Sequence, residues 1–471
     1  MTSPRIRLRR RPDAIAVAAC LLLLAVAVRL QAAETPSATA RQAGDEVLTL
    51  LSSGDVDLQR VALDRIRHGL DGAWFTRLIA ERLPTLASDL QAAVLLALAD
   101  RGDAEAVPAA SRVLAATREP RVRAAALAVL GRLGGPADVA SLVAALAADG
   151  PQRDAASRGL MEIAGPAAAE AIRTAAAQAP VAARPAVIDI LAERRDRQSL
   201  PLLAAAAVDD DAAVRRAAMK ALARFGGAAE IPAMMNSLLM ATGDDRKAAE
   251  LAIAAACTTG LDATRATTAA VAGYEAADEA ARATLLPALA RVGGPQVMAI
   301  VEAMLADPAQ RPRGLDALSK WPDATVKDRL LDLVGTTNNP EERDLLLGTL
   351  IRIAPLPDNK LNDGEKLELL KRTMGLCQRT ADKARVLERA NAIRTIETFR
   401  FVVPFLDDPA LAEPACASIV ELAHHQKLRD AHKQEFTAAL DKVLRTTKNE
   451  ELVERATRYK AGRTWDRGRK G

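Results

Sequence analysis

The sequence predicts an all-α chain, a right-handed α-solenoid or superhelix of about twelve antiparallel helix pairs. Three observations lead there. The segment "VRAAALAVLGRLGG" at 122–135 returns as "VRRAAMKALARFGG" at 214–227 and "ARATLLPALARVGG" at 281–294, with a looser copy, "LQAAVLLALADRGD", at 90–103. The leucine of its L-x-R-x-G ending, or a stand-in, can be followed through Ile66, Leu98, Leu130, Leu160, Leu191, Leu222, Ala254, Leu289, Leu318, Leu350, Ile393 and Leu422. Its steps are 29–35 residues, apart from one of 43. Finally, 50% of the 471 residues are hydrophobic but only 2% are aromatic. Much of the apolar content is therefore alanine, which suits closely packed helices over thin cores better than one large globular core. A helix pair repeated at that period cannot bury its apolar face alone, so the pairs must stack.

The first element is a leader, residues 1–33. Arg5, Arg7, Arg9, Arg10 and Arg11 precede "AIAVAACLLLLAVAV", Ala14 to Val28, which ends at Arg29. The charge and length are those of a signal peptide, and the run is shorter than the roughly 20 residues of a membrane span. Cleavage is expected near Ala32 or Ala33, or later near Ala40; the alternative is an uncleaved N-terminal anchor. "VAAC", ending at Cys20, resembles a lipoprotein box, but most of the apolar run follows the cysteine. Residues 34–44 read as a linker.

Charge follows from this division. The chain has 64 Lys+Arg and 60 Asp+Glu, and the leader holds six of the former and one of the latter. The remainder carries 58 against 59, so the net +4 of the full chain is made by the leader and is no nucleic-acid footprint. Residues 366–471 hold 22 basic and 15 acidic residues, which leaves 34–365 at about −8.

The main array spans 45–354, and each period reads as two helices. In the first helix Val122, Ala126, Leu127, Leu130 and Leu133 form a helical stripe, and in the second Val139, Leu142, Val143 and Leu146 repeat it. "GGP" at 134–136 is expected to stop the first helix with a left-handed glycine cap and to start the second with Pro136. Pro287, in mid-helix, predicts a kink or a shorter helix.

The pattern R-x-x-A-x-x-x-L-x-x-[LVF]-G, two helices per unit and a period near 31 resemble HEAT repeats, most closely the short, alanine-rich, phycobilisome-lyase-like type found in exported bacterial proteins. The resemblance implies an armadillo-like superhelix used for protein binding. It weakens after "APLPDNKLNDGEK", where 355–366 reads as a loop insertion. Residues 367–455 read as divergent C-terminal helical repeats without the glycine endings. They also resemble the helical end of secreted HEAT proteins, some of which are fused to carbohydrate-processing or cytochrome modules. Residues 456–471 form a basic tail.

Candidate chemistry is sparse. Cys257, Cys377 and Cys416 lie far apart, without metal spacing, and read as small core residues. His68 sits at a helix end, while His424, His425 and His432 cluster in "AHHQKLRDAHKQE", with Asp430 and Glu435 nearby. They read as a solvated helix end, with a metal site as the alternative. The diiron HEAT-type deoxyhypusine hydroxylases use His-Glu pairs, and no histidine here is followed by glutamate. "DDD" at 209–211 is expected to cap the following helix. Arg123, Arg215 and Arg282 are expected to pair with Glu119, Asp211 and Asp278 and so stitch the repeats. Trp321 reads as core. Trp74, Trp321, Trp465, Tyr274 and Tyr459 are too scattered for a stacking platform.

These features predict a noncatalytic exported scaffold, periplasmic or held at the cell envelope, that binds a protein partner and needs no cofactor, metal or nucleic acid. The alternative is a lyase-like or accessory module of a tetrapyrrole, redox or carbohydrate-processing enzyme. No catalytic or cofactor-binding residue is nominated. The candidate binding surface is Arg463, Trp465, Arg467 and Arg469, and any membrane contact would be made by an uncleaved N-terminus or weakly by this tail.

Overall fold

The computed structural model describes residues 36–260, 262–357 and 359–463. Among them every regular element is a helix. Twelve consecutive pairs run from Val56–His68 with Ala73–Arg82 to Ala412–His424 with Lys433–Thr446, and a short helix, Gln426–Ala431, separates the last two partners. One further helix lies at each end, Ala38–Leu51 and Glu450–Lys460. No helix of the described residues is long and apolar enough to cross a membrane. The contacts divide the chain into two units, one up to Ala221 and one from Leu222, with the division inside the helix Ala212–Phe225.

In the first unit the expected stripes are the core. Pro120–Leu133 buries Val122, Ala126, Leu127 and Leu130, and Val139–Ala145 buries Val139, Leu142 and Val143, with Leu146 buried just beyond. The opening departs from expectation. Residues 34–44 are not a linker throughout, because the helix begins at Ala38; Ser37 caps it by accepting from Ala40 N at 3.1 Å, and Gly44, Val47 and Leu51 are buried. Ala40 therefore lies in a packed helix, whereas Cys20, Ala32 and Ala33 fall outside the described residues.

The glycine endings also work differently. Gly134 and Gly135 have φ of −74° and −130°, so neither is left-handed. A Cβ at Gly134 would instead stand 2.3 Å from Leu130 O, and Gly135 N donates to Asp138 Oδ2 at 2.9 Å, opening the next helix. Gly227 and Glu230 repeat that bond at 2.8 Å. The left-handed region is used by the third copy, at Gly293 (φ 70°) and Gly294 (φ 85°), and by the looser copy, where Gly102 (φ 83°) caps its helix as expected. A close helix approach in the first unit rests on glycines other than the terminal pair: a Cβ at Gly131 would meet Gly159 Cα at 2.2 Å.

In the second unit the helix Glu279–Val292 runs through Pro287 without being shortened. Trp321 is buried, its Nε1 donating to Thr325 Oγ1 at 3.2 Å. The expected 355–366 loop ends early, because Asn362 and Glu365 form a reciprocal cap that starts the helix Asp363–Leu376. What remains of the loop is fastened down. Asn359 is buried, its Nδ2 donates to Ile353 O and Ala354 O at 2.8 Å each, and its carbonyl accepts from Ala324 N at 3.4 Å. Ile393 keeps its buried register position but lies in a turn after Thr380–Ala390. The basic tail begins later than 456, since Glu450–Lys460 is a packed helix that buries Leu452, Arg455, Ala456 and Tyr459.

Candidate interaction surface

Of the nominated surface, Arg463 is the last described residue; it is exposed, and its N–H donates to Arg458 O at 2.9 Å. Trp465, Arg467 and Arg469 lie outside the described residues.

The thiols are packed, and the imidazoles lie exposed or half-buried at helix ends. Cys257, Cys377 and Cys416 are buried, and burial pushes each thiol up to about 11, far from a reactive thiolate. His424, the exposed last residue of its helix, shares a 2.9 Å hydrogen bond between Nδ1 and Tyr459 Oη and so also holds the last helix. His425 is held below its usual value first by burial and then by Arg394 and His424. His432 Nδ1 approaches Glu435 at 3.6 Å. No group of three or more potential metal ligands occurs among the described residues.

Arginine organises the polar part of the molecule, by a route the sequence reading did not anticipate. Arg123, Arg215 and Arg282 do not pair with Glu119, Asp211 and Asp278. Arg123 Nη1 donates to Leu114 O at 2.7 Å and Thr117 O at 3.1 Å, while Arg215 Nη1 reaches Asp209 O and Asp210 O at 2.8 and 2.7 Å. Arg282 donates to Tyr274 O and Glu275 O. Arg153, Arg184, Arg246, Arg311 and Arg343 do the same to the ends of the helices before them. The reason is that the last carbonyls of a helix have no intrahelical donor and sit at its negative dipole end. Asp211 and Asp278 serve the opposite end of the next helix, as expected for "DDD": Asp211 Oδ1 accepts from Ala213 N and Val214 N, and Asp278 Oδ1 from Ala281 N. Several of these arginines also reach forward to the following repeat, as in Arg123 to Gln152 and Arg311 to Glu342.

A second set lies at the other end of the first helices, in the L-x-R position or beside it. Arg101 donates to Ile66 O, Leu70 O and Gly72 O, and Arg194 to Leu160 O, Met161 O and Ile163 O. Some members have a carboxylate as well: Arg132 meets Asp100 at 2.8 Å, and Arg291 meets Glu250 at 3.2 Å. Arg101, Arg194 and Arg352 have no ion pair among the described residues and donate to backbone carbonyls instead, Arg352 Nη2 to Trp321 O at 2.7 Å. Repetition of L-x-R was legible in the sequence, but which rungs carry a counter-charge was not.

A groove of about 300 Å³ lies in the first unit, lined by Ala80, Leu83, Gln91, Ala109, Arg112 and Val113 among others. Its lining comes from the second helices Ala73–Arg82 and Val107–Ala116 together with Leu83 and Gln91.

The family model for HEAT repeats matches residues 77–161 and 169–256. No curated protein matches the chain. Among solved structures, importin beta is 14% identical, with 88% of this chain and 68% of that one covered and a TM-score of 0.36. Human deoxyhypusine hydroxylase in complex with glycerol is 20% identical over 59% of this chain and 96% of that one, with a TM-score of 0.24. A full-length AP-3 complex model is 12% identical over 86% and 94%, with a TM-score of 0.27.

Proposed function

We propose that this chain, which is a HEAT-repeat protein, acts as a noncatalytic, exported scaffold that holds another protein at the cell envelope. The observation that carries the reading is how its polar side chains are used. Within each unit, arginine after arginine ties the end of one helix to the next repeat. Such arrays offer long binding faces without a cofactor. The buried thiols, each raised to about 11, and the engagement of His424 with Tyr459 favour packing roles for the groups best suited to catalysis. Export rests on the arginine-rich, apolar first 33 residues.

The test is affinity capture from a native envelope fraction, comparing residues 34–471 with a version ending at Gly462 and identifying bound proteins by mass spectrometry. The shortened version must stop there, because an earlier end would cut the packed helix Glu450–Lys460. A specific partner kept by both supports a binding face on the array. A partner lost with 463–471 moves the contact to the basic tail. If neither version holds a specific protein, the scaffold reading fails.

A further inference from the structure

We infer that the groove between the helices Ala73–Arg82 and Val107–Ala116 receives the C-terminal residue of a partner polypeptide, an apolar side chain with its free carboxylate. The inference rests on the scaffold reading and names the chemistry of one partner contact.

The groove has a floor and a rim of different character. Leu83, Ala109 and Val113 form the floor and are buried. Pro84, Arg112 and Ala116 form the rim and are exposed. Ala109, Val113 and Ala116 fall at i, i+4 and i+7, so one face of a single helix supplies an apolar strip with Arg112 beside it. The walls are tied down. Gln91 Nε2 donates to Leu83 O at 2.8 Å, and Thr117 O accepts from Arg123 Nη1 at 3.1 Å. A ligand therefore finds the shape already formed, which lowers the ordering cost of binding.

Charge singles this groove out. Its lining contains Arg112 and no carboxylate. Arg112 makes no ion pair among the described residues; its Nε donates to Pro108 O at 3.4 Å, which leaves both Nη groups for a ligand. An exposed arginine without an ion pair occurs elsewhere, as at Arg118, so the guanidinium alone assigns nothing. What distinguishes Arg112 is the apolar groove it borders. Two other depressions of the first unit supply their own counter-charges, one lined by Arg41 and Arg77 with Asp45 and Glu81, the other by Arg158 with Glu162, Asp189 and Glu193. A carboxylate accepts from the Arg112 fork in the bidentate geometry that arginine favours. The volume of about 300 Å³ is at the small end for a ligand site, enough for one residue rather than a full acyl chain. A C-terminal leucine, isoleucine or valine carries the carboxylate and a branched apolar group on one carbon, and the rest of its chain leaves across the exposed rim.

The experiment titrates the chain from residue 34 into a fluorescent peptide, Gly-Ser-Gly-Ser-Leu with a free C-terminal carboxylate, followed by anisotropy. Saturable binding is expected, about tenfold weaker for the same peptide as its C-terminal amide and for Arg112→Gln, since each removes one side of a charged hydrogen-bonded pair. A peptide ending in serine should also bind more weakly, because it leaves the apolar floor uncovered. Ala116→Trp, at an exposed helix end, should fill the groove and abolish binding, while Arg118→Gln should bind as the parent does. Equal affinity for acid and amide, undiminished binding by Arg112→Gln or Ala116→Trp, or equal weakening by Arg118→Gln overturns the site. So does displacement of the peptide more readily by octanoate than by N-acetyl-leucine, which would make the ligand a free fatty acid. An envelope protein held as tightly by Arg112→Gln as by the parent refutes this site while leaving the scaffold reading intact. Peptide binding that follows the carboxylate and Arg112, with no protein captured from the envelope, supports the site while the scaffold reading fails.

Discussion

A methyl group at Gly131 would stand 2.2 Å from Gly159 Cα, whereas one at Gly135 would meet nothing within 4 Å. The two substitutions therefore separate glycine as a spacer from glycine as an ending. Gly131→Ala is expected to lose about 1–3 kcal/mol in urea denaturation, because overpacking outweighs the helix propensity gained. Gly135→Ala should stay within about 0.5 kcal/mol. The sequence draws attention to Gly134 and Gly135, because endings repeat and a contact between two particular helices does not. Arginine gives a similar lesson. Arg123→Ala strips Leu114 O and Thr117 O of a charged donor and should cost about 1–3 kcal/mol, while Glu119→Ala, whose side chain makes no cap bond, should be near neutral. Comparable losses from both would restore the Arg–Glu pairing that the spacing suggested. Legible here was that Arg123 recurs; its acceptor was not, since backbone carbonyls leave no mark in a sequence.

Among the elements, the last helix shows most clearly where charge patterning misleads. "EELVERATRYK" reads as polar, yet Tyr459 is buried, joined to His424 by its hydroxyl and flanked by Arg429 and Arg455 at 5.5 and 5.9 Å from its ring. Three buried apolar or aromatic residues, Leu452, Ala456 and Tyr459, suffice to dock it because long arginine stems cover apolar surface while their charges are paired, as Arg455 is with Glu421 at 2.7 Å. Ending the chain at Gly462 should leave the melting temperature unchanged, whereas ending it at Asn449 should lower it by several degrees. The same region should respond to mild acid. His425 is held below 6.5 in the folded chain, so protonation is easier when unfolded; stability is complete above that pH and falls as pH drops through about 6.5 toward the lower folded value. Arg394, His424 and Glu421 face it, with Glu421 alone opposing the shift. Glu421 is itself depressed by Arg455 and is lost only below 4.5, which places the two effects in separate windows. Thermal melts between those limits should show the loss in the parent and not in His425→Gln. The boundaries of 34–44 and 355–366 were misjudged for a related reason: Ser37 and Asn362 are turn-like residues that act here as helix caps.

For the molecule as a whole, repetition decides how disturbance spreads. The fold class was legible because twelve weak signals recur in phase, and their residues from Ile66 to Leu422 are buried in turn. Each pair packs chiefly on its neighbours in sequence, so stability is approximately a sum of repeat and interface contributions. A defect introduced at Gly131 should then act on the helices that share the contact, Pro120–Leu133 and Pro151–Glu162, and on those packed directly against them. Native-state hydrogen exchange of Gly131→Ala should show faster exchange across roughly residues 88–177, with helices from Pro340 onward keeping the parent's protection. Uniform loss along the chain would mean that the array opens as one cooperative body. Confined loss would mean that the second unit keeps its fold independently of damage to the first. That locality is also why the sequence discloses the architecture more readily than the binding site: the architecture is what the repeats share, and a site is where one rung departs from the others.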